Sequence, residues 1–114
     1  MKRAFVYLQN FDKAWKSLNL SDKHRIELED LLLENPRKGE VIKGAGGLRK
    51  VRLGFYGKGK SGGLRILYVD FEEHERLYLL FVYSKNASEN ITEAHKQQFK
   101  EMIARLSEEI KRKG

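Results

Sequence analysis

The spacing of apolar side chains changes repeatedly along this chain, and each period predicts an element. Ala4 to Leu8 is short, apolar and aromatic and meets polar residues at once, which predicts a strand. Phe11, Ala14, Trp15 and Leu18 then fall at i, i+3, i+4 and i+7, one face of a helix, with Asn10 placed to cap its start. Ser21 caps a second helix in which Ile26, Leu28, Leu31, Leu32 and Leu33 are expected to face inward. Asn35-Pro36 stops it, because proline disfavours helical backbone in the residue before it. Together these segments predict an N-terminal helical hairpin.

Arg37 to Gly47 reads as an irregular connection, in which Gly44-Ala45-Gly46-Gly47 is expected to hold an unusual backbone shape. From Leu48 the period becomes two. Val51, Leu53 and Phe55 share one face and Lys50 and Arg52 the other, which predicts a half-buried strand with a cationic face. Leu64 to Phe71 reads as the second arm of a hairpin, and Glu72-Glu73-His74-Glu75 as a turn. Leu77 to Tyr83 is apolar enough for a strand covered on both faces. Asn90-Ile91-Thr92-Glu93 has capping-box spacing ahead of a final helix whose Phe99, Met102, Ile103, Leu106 and Ile110 form an inward stripe. The order βααβββα predicts an α+β fold, with helices packed on a sheet.

A chain of 114 residues fits one domain, 1–114, able to bury a core without cross-links. It has no cysteine, which excludes a disulfide framework, a thiol nucleophile and thiolate zinc sites. The N-terminal Met1-Lys2-Arg3 opens like a signal peptide but meets Gln9, Asn10 and Asp12 too soon, and the longest apolar run elsewhere is far below membrane-spanning length. A soluble cytoplasmic protein without membrane association is expected.

Charge changes the picture most. From Arg37 to Arg65 there are nine cations (Arg37, Lys38, Lys43, Arg49, Lys50, Arg52, Lys58, Lys60, Arg65) against the one acid Glu40, while the net charge of the whole chain is +7. The same stretch holds nine of the ten glycines. Cations confined to one segment, with glycines that let backbone approach a ligand, point to a polyanion, nucleic acid first.

Inside the stretch, Gly54-Phe55-Tyr56-Gly57-Lys58-Gly59-Lys60-Ser61 satisfies the phosphate-loop pattern letter by letter. That chemistry requires a helix to begin at the Lys-Ser pair so that its N-terminus cradles phosphate. Here Gly62-Gly63 and a strand pattern follow, so nucleotide hydrolysis is not expected. His24, His74 and His95 have no metal-ligand spacing and read as surface residues. Tyr68, Tyr78 and Tyr83 read as packing residues on strands, with at most one of them facing a site, and Lys111-Arg112-Lys113 complements a helix dipole.

Three runs carry a resemblance: Gly46-Gly47-Leu48-Arg49-Lys50-Val51-Arg52; Gly57 to Tyr68 with Lys58, Lys60 and Arg65; and Leu79-Leu80-Phe81-Val82-Tyr83-Ser84-Lys85. They resemble the HigB-like branch of the RelE/ParE toxin superfamily, and the order of elements agrees along nearly the whole chain. The resemblance implies a mostly antiparallel, twisted sheet and the toxin of a toxin–antitoxin pair. It implies an endoribonuclease, an mRNA interferase acting in the ribosomal A site without metal or other cofactor. Its implied partners are mRNA, ribosomal RNA and a small antitoxin, expected to be a helix-turn-helix protein.

Such cleavage needs the ribose 2′-hydroxyl deprotonated, charge at phosphorus stabilised and the 5′-oxygen neutralised. Arg65 sits where the family places its phosphate-clamping arginine, and a guanidinium fork suits that task. Lys50 and Arg52 match the basic pair of the preceding strand; crowded by cations, Lys50 is the candidate base and Arg52 a charge stabiliser. Lys43, Arg49, Lys58 and Lys60 are expected to contact RNA phosphates. RelE-type members place an arginine just past the last strand and a tyrosine near the C-terminus, whereas this chain has Lys85-Asn86 and Thr92 there. Lys85, Tyr83 and Tyr68 are therefore the candidate acids, with Lys85 preferred. A non-catalytic RNA-binding module and a gyrase-directed toxin are the alternatives.

Overall fold

Five strands pair in the order β1-β5-β4-β3-β2 in the computed structural model, which describes residues 2–54, 63–84 and 91–113. They are β1 (Ala4–Tyr7), β2 (Glu40–Val41), β3 (Arg49–Leu53), β4 (Leu64–Phe71) and β5 (Arg76–Ser84). The helices are α1 (Gln9–Ser17), α2 (Asp22–Glu34) and α3 (Glu93–Lys113), and a 3-10 turn spans Glu72–His74. The pairs β2–β3, β3–β4 and β4–β5 are antiparallel, while β1 lies parallel to β5, with Phe5 opposite Leu77. The α+β expectation holds, with one addition. The two-residue β2 falls inside the segment read as irregular, too short and too exposed to leave a period-two pattern.

Alternation along the strands divides the core between the two faces of the sheet. Val51, Leu53, Leu64, Ile66, Tyr68, Leu77, Leu79 and Val82 pack with Phe11 and Trp15 of α1 and Leu28 and Leu32 of α2. Phe11 and Trp15 stack at 5.4 Å between ring centroids. Leu67, Val69, Tyr78 and Leu80 point the other way, against Ile103 and Ile110 of α3, with Phe99, Met102 and Leu106 partly buried beside them. Burying each such large apolar side chain stabilises the fold by roughly 1.5–3 kcal/mol before the entropy of ordering it is counted. Ile26, expected inward, is 59% exposed, because the buried face of α2 follows Leu28 and Leu32 and places Ile26 outside it.

The caps differ in an instructive way. The N-cap of α1 is Leu8, without a side-chain bond, and Asn10 is already helical. Ser21 does cap α2, and its backbone N–H donates to His24 Nδ1 at 3.1 Å. α3 repeats the device. His95 N–H donates to Thr92 Oγ1 at 3.1 Å and Thr92 N–H donates to His95 Nδ1 at 3.3 Å. Asn90, the expected cap, lies outside the described residues.

Gly44, Gly46 and Gly47 all have positive φ, as their tight connection between β2 and β3 requires. A Cβ on Gly46 would come within 3.2 Å of Lys100 Cα, so glycine lets α3 approach this loop. Of the three, Gly46 alone lies against α3; Gly44 has open space beside it, and Gly47 faces Val69 of β4.

Candidate active site

The register places Arg52 of β3 opposite Arg65 of β4, and Arg65 opposite Tyr83 of β5. One step along, Lys50 lies opposite Leu67, and Leu67 opposite Phe81. With strands about 4.8 Å apart, the result is a grid on the α3 face, cationic toward β3 and aromatic toward β5. A Cβ on Gly63 would lie 3.4 Å from Arg65 Nη1 and 3.7 Å from Arg52 Nε, so both guanidinium groups lean toward the same small residue. Like charges directly opposite one another destabilise a strand pair. Among the described residues no carboxylate forms an ion pair with Lys50, Arg52 or Arg65. The row is therefore receptive to an anion from outside.

Tyr83 completes the row. Burial raises its phenol above the ordinary value of 10.0, and the Arg65 cation opposes this with a smaller effect. At neutral pH it is a protonated donor beside the arginines. It also lines a cleft of about 250 Å³ between β5 and the first turns of α3, with Leu67, Leu80, Phe81, Ile91, Phe99 and Met102 as walls and Asn10, His95 and Gln98 at the rim. Adjacent residues Leu80 and Phe81 both reach it because of a β-bulge. The register steps from Leu67–Phe81 to Tyr68–Leu79, leaving Leu80 as the extra residue on β5.

Other cations of the basic stretch are occupied differently. Arg49 faces away from Lys50 and Arg52, and its Nη1 donates to Gly39 O at 2.7 Å and Arg37 O at 3.2 Å. Arg49 thus holds the Arg37 and Gly39 carbonyls, on the face turned away from the row. Arg37 pairs with Glu72. Lys43 is exposed on the glycine connection, near the Arg49 end of β3 and away from the row. Lys58, Lys60 and Lys85 lie outside the described residues, as does most of the phosphate-loop match. β4 begins at Leu64, leaving only Ser61, Gly62 and Gly63 between Lys60 and a strand, where a phosphate-loop protein has a helix.

Tyr68 is removed from the candidate acids. It is fully buried on the opposite face, where its hydroxyl donates to Pro36 O at 2.8 Å and accepts from Gly39 N–H at 2.9 Å. Tyr68→Phe strands a buried amide, which costs about 1–3 kcal/mol in urea unfolding, and it leaves any activity of the basic row intact. The sequence reading also missed the cleft-lining Phe81, His95 and Gln98. Alternation alone would have turned Phe81 away from Leu80, and only the bulge brings the two together.

An α+β protein with an anion-receptive row at the edge of an apolar cleft is thus the class that fold and site define. The chain belongs to the RelE family, described as the RelE toxin of the RelE/RelB toxin–antitoxin system, whose model matches residues 2–113. The match is to this family and does not single out the HigB-like branch. Two solved structures share the fold. An arginine-to-alanine double mutant of E. coli toxin RelE in the free state is 23% identical at a TM-score of 0.55, covering 77% of this chain and 88% of that one. The intact E. coli RelBE toxin–antitoxin complex is 20% identical at a TM-score of 0.54, covering 79% and 100% respectively. Among the described residues no helix is long and apolar enough to cross a membrane.

Proposed function

We propose that this toxin is an endoribonuclease that cleaves mRNA in the ribosomal A site, in the cytoplasm, and that a cognate antitoxin neutralises it. The observation that carries the reading is the Arg52–Arg65 cross-strand pair, which lacks a described acidic partner and stands beside the protonated Tyr83. A scissile phosphate held by these two guanidinium groups gains charge stabilisation where the phosphorane develops. In the reaction the ribose 2′-oxygen bonds to phosphorus and the bond from phosphorus to the 5′-oxygen breaks. Lys50, next along the same face, is the group placed to take the 2′-hydroxyl proton. Tyr83 or Lys85 returns a proton to the leaving 5′-oxygen, giving a 2′,3′-cyclic phosphate and a 5′-hydroxyl.

Induced expression is expected to arrest growth, and the purified protein to generate 5′-hydroxyl ends within the A-site codon of ribosomes programmed with a defined message. Intact message on those ribosomes, with salt-sensitive RNA binding retained, would instead identify a non-catalytic RNA-binding module. A DNA-damage response with intact mRNA would identify a gyrase-directed toxin. A neighbouring reading frame for a small helix-turn-helix protein would supply the antitoxin.

A further inference from the structure

Glu40 is the one acid between Arg37 and Arg65, and the fold sets it beside the candidate base. In the β2–β3 ladder Glu40 lies directly opposite Lys50. Residues so paired present their side chains on the same face, with Cβ atoms about 5 Å apart. Ile42, two residues further on, packs with the core cluster on the α3 face, which agrees with placing Glu40 there too. The carboxylate thus stands at the edge-strand end of the grid, with Lys50 between it and Leu67 and with Arg52 as its diagonal neighbour.

A lysine side chain is ordinarily an ammonium at neutral pH, with no lone pair to take a proton, whereas a carboxylate has several. We propose that Glu40 is the final acceptor of the 2′-hydroxyl proton, which reaches it through Lys50. The inference rests on the endoribonuclease reading of the row and adds a residue to it. As the 2′-oxygen bonds to phosphorus, the Lys50 ammonium passes one proton to a Glu40 carboxylate oxygen and takes the hydroxyl proton in its place. Lys50 begins and ends the step as a cation, and Glu40 ends it neutral and then gives its proton to water. The placement suits such a relay. Glu40 is exposed on a two-residue edge strand, and among the described residues neither it nor Lys50 is held in an ion pair. Bonds that carry a proton often close only when substrate is bound. The cations about Glu40 are Lys50 and Arg52 of β3 and Lys43 on its own segment, with Lys100 of α3 against Gly46 in the loop that follows. Of these, Lys50 is the one directly opposite. An acid here also repels RNA phosphate, so binding alone gives no reason for it.

Single-turnover cleavage on programmed ribosomes tests the relay, followed against toxin concentration from pH 6 to 9 for wild type, Glu40→Gln and Glu40→Asp. At pH 7 Glu40→Gln is expected to lower the saturating rate about 10²-fold, the lower end of what a general acid–base group contributes. Its half-saturating concentration should stay level or fall, because a negative charge has left the RNA surface. The rate of Glu40→Gln should then climb about tenfold per pH unit, since only the free amine of Lys50 is left to take the proton, while the wild-type rate stays nearly flat. Glu40→Asp keeps the acceptor and should keep the flat profile at a reduced rate. Urea midpoints of both variants should match wild type, as expected for an exposed position. A Glu40→Gln rate within about twofold of wild type at pH 7 overturns the proposal. So does a loss by the same factor at every pH, which is what a glutamate that only steadies the edge strand would give. Either result leaves the nuclease reading standing. If wild type cuts no message, that reading falls and takes the relay with it.

Discussion

Arg65→Ala is expected to lower the single-turnover cleavage rate on programmed ribosomes by about 10²–10³, the usual loss when one donor to a developing oxyanion is removed. Toxicity on induction should disappear with it. The physical reason is position: Arg65 is the middle member of its row, opposite Arg52 on one side and Tyr83 on the other. Its removal deprives the phosphate of one fork and Tyr83 of the cation that acts on it. Arg65→Lys keeps the charge and loses the planar fork, so an intermediate rate is expected.

Stability provides the control. Among the described residues the Arg65 side chain makes one hydrogen bond, a long one from Nη1 to Leu64 O at 3.4 Å, and it faces a like charge across the strands. The alanine variant should therefore unfold at the same temperature as wild type or a higher one, a stability gained where function is lost. A variant that is inactive because it is destabilised would refute the assignment, and so would one as toxic as wild type.

What made this site readable in the sequence is the local period of two. Lys50 and Arg52 had to share a face if Val51 and Leu53 shared the other, and the described structure keeps that division. The α3 stripe was equally local, since Phe99, Met102, Ile103, Leu106 and Ile110 meet the same sheet face by helix geometry alone. Pairing between distant strands has no such signature. Nothing in Ala4 to Tyr7 announces a parallel partner at Arg76 to Leu79, and nothing near Leu80 announces the bulge that brings Phe81 to the cleft.

Side-chain chemistry misled where tertiary contacts decide its use. Arg49 reads as one more cation of a basic strand, yet its partners are carbonyls of Arg37 and Gly39. Tyr68 reads as a possible proton donor at the site, yet Gly39 approaches so closely that a Cβ there would lie 2.9 Å from the tyrosine hydroxyl. Both contacts hold the turn after α2 against the sheet. They are bonds to backbone groups, which sequence spacing cannot reveal.

Arg3→Ala is expected to destabilise the protein by about 1–3 kcal/mol, the cost of leaving a partly buried carboxylate without its two charge-assisted hydrogen bonds. In the sequence this residue looked like part of a charged leader. In the fold its Nε donates to Asp70 Oδ1 at 2.7 Å and its Nη2 to Oδ2 at 3.0 Å, with side-chain exposures of 6% and 3%. That bond raises the guanidinium further above its already high ordinary value. The pair spans β5, joining the entry to β1 with the end of β4, and so ties the one parallel strand, four residues long and at the sheet edge, to the antiparallel core. At the same entry Ala4 N–H donates to Glu75 O at 2.8 Å. Replacing both partners with apolar residues of similar size, Arg3→Met with Asp70→Leu, is expected to recover most of the loss, because no charge is then left stranded. Urea unfolding of the two singles and the double measures the coupling directly. A loss below 1 kcal/mol in Arg3→Ala would mean that the pair is effectively solvated, as exposed salt bridges are, and that β1 is held by Phe5 and Tyr7 against the α1–α2 core instead.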